Sequence, residues 1–413
     1  MSKHNENDQK NTTVGNSEVF QAGMMALIHS FACNVIDEEI QQLKEKADIY
    51  RWGTQQGYIH ALGNRMGIDK PRARYKGSKE EVRLSSYEQL QGKDRWTQQM
   101  CDMVLGGLAT RQFDKLGQVV GSAYGMSKSQ ISRHVVHGLQ RDFDALMATD
   151  CSDVVALLID AKGFGKKPNE VCLIAALGIT DKGEKKLLGL WSGGSENSAV
   201  VKQLLADLIK RGLKEPELLV IDGSKALYKA IKDTWAEAVI GRCQIHKKRN
   251  LLSHVTEGQK DWVEREYQAV VSAPSYEEGM DRASALHKQL AKVNVTAANS
   301  LAEGLPELLV ANLIKDKNLR AFFSTTNAIE SIFSVLETKT GRVKYWRSAN
   351  SVMYWCATAY RQQKKNFHAI RGHKAIAELS QLKTRLTQAR EKLSPASRFV
   401  LSLTSDERRL KVG

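Results

Sequence analysis

The most constraining feature of the sequence is an apolar run that ends on a carboxylate. Residues 154–162 read VVALLIDAK, so a β-rich stretch leads directly into Asp160. Residues 217–223 read ELLVIDG and end in the same way on Asp222. Uninterrupted apolar runs of this length are typical of strands buried on both faces of a sheet. A carboxylate at the end of such a strand lies near the apolar interior, and a divalent metal ion is a common partner for its charge.

A third acid comes from a predicted helix. In residues 324–337, STTNAIESIFSVLE, apolar side chains recur at spacings of three and four, which predicts a helix with one buried stripe. Glu330 lies beside that stripe. Two alternatives for the third acid are Glu196, at the start of another predicted helix, and Glu337, about 10 Å farther along the same helix.

Three acids on two strand ends and one helix match the needs of two-metal phosphoryl transfer, in which hard oxygen ligands hold two Mg²⁺ ions. We therefore predict Asp160, Asp222 and Glu330 as catalytic metal ligands, with Asp160 shared between the ions. Mn²⁺ is expected to substitute for Mg²⁺. The alternative for each acid taken alone is a turn or capping carboxylate.

The order of the predicted elements favours an α/β fold. Three strands over residues 154–191 are followed by helix, strand, helix and strand up to residue 244, which predicts a mixed sheet with both aspartates at strand ends. The expected organisation is a disordered tail (1–16), an N-terminal helical region with a basic arm (17–95), a helix-turn-helix-like domain (96–148), a first core part (149–245), a helical insertion (246–320), a second core part (321–375) and a helical tail (376–413).

The charge balance indicates a polyanionic partner. The chain of 413 residues carries a formal net charge of +15. A membrane surface or a ribosome would also be a suitable partner for such a charge. No apolar run approaches the roughly 20 residues that span a bilayer, and the polar N-terminus lacks the apolar core of a signal peptide. The six cysteines are scattered, which fits a reducing cytosol.

Several basic segments are candidates for DNA contact. Residues 113–140 have the layout of a helix-turn-helix whose second helix begins near Ser127. Residues 69–79, DKPRARYKGSK, form either a solvated linker or an arm that follows phosphates. Between Glu337 and Glu378 there is no acid, and cations alternate with aromatic residues. The residues that we predict to contact DNA are Arg72, Arg74, Lys128, Gln130, Arg133, Lys247, Lys248, Arg249, Lys339, Arg342, Lys344 and Arg347.

Cys243 and His246 have the spacing of half a zinc site. No second Cys-x-x-Cys or His-x-x-His pair accompanies them, so the spacing does not predict zinc. A histidine just past a strand end, close to two carboxylates, could instead contact the scissile phosphate or order the site.

With these motifs assembled, the chain resembles the mutator-type family of bacterial insertion-sequence transposases. The matching stretches are LLIDAKG, ALGITDKGEKKLLGLWSGGSENS, LLVIDGSKAL, GRCQIHKKRN and TTNAIESIFSVLETKTGRVKYWRS, and they span roughly residues 70–365 in the order of the family. The chain departs from the family pattern at Ser198–Val201, where a Trp is usual, and at residues 235–238, where a Pro is common.

The resemblance implies a ribonuclease-H-like core interrupted by a helical insertion, with Asp160, Asp222 and Glu330 as the DDE triad and Cys243 with His246 as a signature pair. It also implies binding of terminal inverted repeats by the N-terminal region, a homodimer acting on two transposon ends and target DNA, and a bacterial cytoplasmic, nucleoid-associated location. We therefore expect a DNA transposase. The alternatives are a DNA-binding regulator without catalysis and a metal-dependent nuclease of the same fold.

Overall fold

The computed structural model describes residues 28–30, 32–61, 64–91, 128–165, 167, 170–193, 197–341, 343, 346 and 348–409. The chain divides into two units, Met1–Arg141 and Asp142–Gly413. Among the described residues, no helix is both long and apolar enough to cross a membrane.

The first unit is built on a β-hairpin. Residues 28–30 and 32–44 are helical (α1), and they are followed by the antiparallel strands β1 (Ile49–Ala61) and β2 (Asn64–Tyr75) and by helix α2 (Ser85–Gln91). Buried side chains of α1 and of both strands form one apolar cluster. A two-stranded ribbon is marginal in water on its own, so this helix cover stabilises it.

Within the predicted N-terminal helical region with a basic arm (17–95), α1 is helical as predicted, but the prediction is wrong for β1 and β2, which are strands. In β2, Met66 and Ile68 are buried while their neighbours Arg65 and Gly67 are exposed, a period of two that belongs to a strand. The helical spacings on which the prediction rested end at Leu43.

The predicted helix-turn-helix lies mostly outside the described residues, which do not include 92–127. Its second helix corresponds to α3 (Lys128–Met147), which begins one residue after the predicted cap at Ser127.

The second unit is organised around a five-stranded sheet of order β5-β4-β3-β6-β7. Strands β3, β4 and β5 form an antiparallel meander, and β6 and β7 run parallel to β3. The mixed α/β fold predicted from the sequence is confirmed at this level. The strands are β3 (Val154–Phe164), β4 (Val171–Thr180), β5 (Lys185–Ser192), β6 (Leu218–Ile221) and β7 (Ile240–Arg242).

Helices cover the sheet on both faces. On one face, α4 and α5 pack their apolar stripes against β3 and β6. Helices α12 and α13 also contact the sheet, and the rings of Phe333 and Phe164 meet there with centroids 6.1 Å apart. The bounds are α4 (Ser198–Lys210), α5 (Lys225–Thr234), α6 (Gln244–Leu252), α7 (Glu257–Val271), α8 (Tyr276–Val293), α9 (Val295–Ala302), α10 (Leu305–Leu308), α11 (Lys317–Phe323), α12 (Asn327–Thr340) and α13 (Ala349–Gln363).

The predicted insertion is helical, since every regular element between residues 244 and 323 is a helix. The chain beyond residue 375 is helical as well. It contains a 3₁₀ segment (His373–Gln381) and the helices α14 (Leu382–Glu391) and α15 (Pro395–Arg409).

Candidate active site

The two aspartates occupy equivalent positions on neighbouring parallel strands. Ile159 of β3 is the register partner of Ile221 of β6, and each aspartate is the next residue of its chain segment. Neighbouring strands lie about 4.8 Å apart, so the two carboxylates leave the same edge of the sheet side by side. Each is held at its base, because Asp160 accepts the backbone N–H of Ala161 and Asp222 accepts that of Ser224, both at 2.9 Å.

Strand alternation turns Asp160 toward the helix that carries Glu330. Leu157 and Ile159 face the cluster formed with α4 and α5, so the next side chain points to the opposite face of the sheet. On that face α12 packs against β3, and Glu330 lies in the first turn of α12. The fold therefore brings together three acids that are 62 and 108 positions apart in sequence.

The electrostatics of Asp160 agree with this proximity. Its pKa is raised to about 6, chiefly by burial and also by the charges of Asp222 and Glu330, which together outweigh the lowering effects of the Ala161 N–H and of His246. The side chain is only 6% exposed. An apolar setting with two like charges is costly for a third carboxylate and is relieved by a bound cation.

A buried threonine orients Glu330. The Thr326 hydroxyl donates to Oε1 of Glu330 at 2.9 Å and lies 3.3 Å from Nδ1 of His246. Its backbone N–H donates to Sγ of Cys243 at 3.4 Å. Thr326 is fully buried, so it links the start of α12 to the Cys-x-x-His turn at the start of α6.

Cys243 and His246 form a polarised pair beside the acids. Burial raises the pKa of the Cys243 thiol, but hydrogen bonds with His246 and Thr326 outweigh burial, and the net pKa is lowered. The hydrogen bond with Cys243 raises the pKa of His246 to about 9 against its burial, helped by the charges of Cys243, Asp160 and Glu330. At neutral pH His246 therefore carries a positive charge, and its Nδ1 lies 3.9 Å from Oε1 of Glu330.

The same pair and Glu330 also have metal-binding geometry. One ligand atom each from Cys243, His246 and Glu330 all lie within 4.8 Å of one another. The Cys-x-x-His spacing does not predict this group of three ligands, because Glu330 lies 84 positions after His246. Glu330 thus stands between a carboxylate cluster and a thiol and imidazole cluster.

Comparison with known proteins assigns the chain to a family. The model of the family described as "Transposase, Mutator family" matches residues 2–369. The chain belongs to this family. The resemblance noted from the sequence motifs is thereby confirmed.

Named relatives of the transposase support the assignment at low identity. The transposase for insertion sequence element IST2 of Acidithiobacillus ferrooxidans is 26% identical over 216 residues, 52% of this chain and 72% of the relative. The transposase for IS6120 of Mycolicibacterium smegmatis is 26% identical over 243 residues, 58% of this chain and 75% of the relative. The transposase for IS905 of Lactococcus lactis is 28% identical over 181 residues, 41% of this chain and 43% of the relative.

Of the two alternatives for the third acid, the structure describes Glu337. Glu337 projects outward, is half exposed and pairs with Lys162 at 2.7 Å. Glu196 lies outside the described residues. Of Glu330 and Glu337, Glu330 is the one whose charge raises the pKa of Asp160.

The predicted DNA contacts fall into three groups. Arg249 is exposed, Lys339 is half buried and Lys248 pairs with Glu264 at 2.7 Å. Arg72 and Arg74 lie on β2. The side chains of Lys128, Gln130 and Arg133 in α3, and all of Arg342, Lys344 and Arg347, lie outside what the structure describes.

The prediction that Lys247 contacts DNA needs correction. Its side chain is fully buried, and its Nζ lies 3.6 Å from Oε2 of Glu303 in the helical insertion. Arg242 reaches the same residue, donating to its backbone carbonyl at 2.8 Å. The basic run around the Cys-x-x-His motif therefore anchors the insertion to the sheet at this position, because a buried ammonium needs a carboxylate partner.

Sequence reasoning also missed Thr326. Its signal was present, since a hydroxyl residue four positions before a helical acid lies next to that acid on the helix surface. The role depends on Cys243 and His246, which arrive from another element, so sequence spacing alone does not reveal it.

Proposed function

We propose that this chain is a DDE transposase that binds the terminal inverted repeats of an insertion sequence and catalyses strand cleavage and strand transfer. The observation that supports this best is the meeting of Asp160, Asp222 and Glu330 on one face of the sheet edge. The strand order, an antiparallel meander continued by two parallel strands, supports a ribonuclease-H-like core interrupted by the helical insertion.

The donor set fits magnesium. All three acids offer hard oxygen ligands, and the burial and like charges that raise the pKa of Asp160 are conditions that a divalent cation relieves. Asp160, Asp222 and Glu330 would hold the ions, with Asp160 between the other two. When bound, a pair of Mg²⁺ ions activates the attacking oxygen and stabilises the leaving oxygen. Mn²⁺ would serve in the same place.

The residues around the acids have their own tasks. Thr326 fixes one oxygen of Glu330 and leaves the other available as a ligand. His246 supplies a positive charge beside the acids, suited to a phosphate approaching them. Cys243 holds the imidazole in place through their hydrogen bond.

The reaction proceeds in two in-line displacements without a covalent enzyme intermediate. Water attacks the phosphorus at the transposon end, a new P–O bond forms and the bond to the 3′ oxygen breaks, which releases a 3′-hydroxyl. That hydroxyl then attacks a phosphorus of target DNA and displaces another 3′ oxygen. Bond count and charge balance in both steps, so no oxidant or cofactor is consumed.

Basic surfaces around the three acids would bind the DNA. Arg249 and Lys339 lie on α6 and α12, the helices next to the acids. Both would contact phosphates, together with the residues of α3 and of the stretch 342–347 that the sequence predicts to contact DNA. Two copies of the chain would act on the two ends of one element.

The test incubates the protein with a labelled DNA end from its own element, target DNA and Mg²⁺. Wild type should cut the end and join it, whereas Asp160→Asn and Glu330→Gln should do neither while still binding DNA. The matched control is Glu337→Gln, which removes an acid of the same helix and should remain active. Cutting without joining would replace the proposal with a nuclease, and binding without cutting by wild type would replace it with a regulator.

A further inference from the structure

The outer face of the β1–β2 hairpin is open and aromatic. The inner face carries the side chains that pack against α1, whereas Tyr50 and Trp52 are exposed large residues of β1 on the outer face. Exposed aromatic residues grouped on one ribbon are a feature of binding surfaces rather than of solvated linkers.

Three arginines are stacked on rings of this hairpin, and the guanidinium carbon of one of them, Arg72, lies 4.3 Å from the centroid of the Trp52 ring. The guanidinium carbon of Arg65 lies 3.8 Å from the centroid of the Tyr58 ring, and that of Arg74 lies 3.3 Å from the centroid of the Trp52 ring. Stacking holds a guanidinium plane in one orientation, so its donors lose little entropy when they bind a planar or tetrahedral acceptor.

Arg65 and Arg74 form no ion pair with any described residue. Arg72 differs, because Glu81 binds its guanidinium with two hydrogen bonds, one of them 2.9 Å long. The uncompensated cations of the face are thus Arg65 and Arg74. Residues 49–79 contain seven Lys and Arg residues and one acid, Asp69, so the hairpin repels another copy of itself and attracts a polyanion.

We propose that this face binds duplex DNA, with Arg65 and Arg74 as the two principal contacts and Trp52 as the residue that orders Arg74. The inference rests on the proposed function for the identity of the polyanion. A two-stranded ribbon fits the major groove of B-DNA, where arginine binds phosphates and the acceptor edge of guanine. The two arginines are nine residues apart on β2, about 30 Å at 3.3 Å per residue, so they contact separate nucleotides and act additively.

The test measures binding of the full chain to a fluorescein-labelled duplex of mixed sequence at several salt concentrations, without divalent metal. Arg65→Ala and Arg74→Ala should each weaken binding about tenfold and lower the salt slope by about one, and the double variant should lower it by about two. Trp52→Leu should weaken binding, but it should change the salt slope less than either arginine substitution does. Arg83→Ala is the matched control, because Arg83 is exposed in the same unit and pairs with Glu88; it should bind as wild type does.

Wild-type affinity and slope in Arg65→Ala and Arg74→Ala would overturn the inference, provided that circular dichroism shows the variants folded. So would loss of self-association in these variants with unchanged DNA binding, because the face would then be a contact between copies of the chain. The proposed function is judged separately, on wild type alone: failure of wild type to join strands would contradict the proposed chemistry whatever the hairpin binds.

Discussion

Asp160 and Asp222 are each the residue that follows a register pair, Ile159 with Ile221, on adjacent parallel strands. Backbone hydrogen bonding of the two strands fixes this relationship, so the main chain holds the two carboxylates next to each other. Because the carboxylates lie side by side, we expect the site to destabilise the folded protein when it holds no cation.

Asp160→Asn should stabilise the metal-free protein, and the gain should depend on pH. Because the pKa of Asp160 is raised from 3.8 to about 6, the native state binds more protons than the unfolded state between those values, and the free energy of unfolding falls as pH rises through that window. The penalty is absent below pH 3.8 and complete above pH 6, where it amounts to roughly 3 kcal/mol. Calorimetry in chelator should show Asp160→Asn melting several degrees above wild type at pH 7 and close to it at pH 4. A variant that melts no higher than wild type at pH 7 would contradict this account of the site.

Removing the Thr326 hydroxyl should weaken the binding of metal by Glu330. Residues that hydrogen-bond to a metal ligand typically contribute about 10- to 100-fold to metal affinity or activity. Thr326→Val keeps the shape and removes the donor to Oε1 of Glu330, so Mn²⁺ affinity measured by titration calorimetry should fall by that factor. Thr326→Ser restores the donor and should recover most of the affinity. Equal losses in the valine and serine variants would mean that packing, not the hydrogen bond, is what Thr326 supplies.

Glu303→Gln should destabilise the second unit by about 3 kcal/mol, because it leaves buried Lys247 and Arg242 facing a neutral amide. The control is Glu264→Gln, which breaks the exposed pair with Lys248 and should cost less than about 1 kcal/mol. Urea unfolding followed by circular dichroism compares them. Similar losses of unfolding free energy in the two variants would show that Glu303, Lys247 and Arg242 remain hydrated in solution.

Much of the second unit is predictable from sequence because its signals are local. The sequence predicts a helix over residues 198–210, and α4 has these bounds, since Asn197 caps its start and Gly212 follows its end with a φ of +96°. It also predicts a strand over residues 218–221, and β6 has these bounds, because it is an uninterrupted apolar run before Asp222. The predicted strand over residues 238–244 is longer than β7, which has three residues, because Ala238 and Val239 precede the strand and residue 244 begins α6.

What the sequence does not reveal depends on contacts between distant elements. The hairpin of the first unit combines a short period-two pattern with a register shift between Arg51 and Thr54, which breaks the alternation that would have identified it. Lys247 looks like one more cation of a basic run, and only its pairing with Glu303, 56 positions away, shows that it is buried. The sequence leaves the third acid open, and only the packing of α12 against β3 shows that Glu330 rather than Glu337 lies near Asp160.

The most direct test of the central claim is anomalous diffraction from crystals of the protein bound to a DNA end and soaked in Mn²⁺. The account predicts two manganese peaks at the ends of β3 and β6, with Asp160 ligating both and Asp222 and Glu330 on either side. A manganese ion held by Cys243, His246 and Glu330 with none between the aspartates, or a Glu330 carboxylate that contacts no metal, would contradict it.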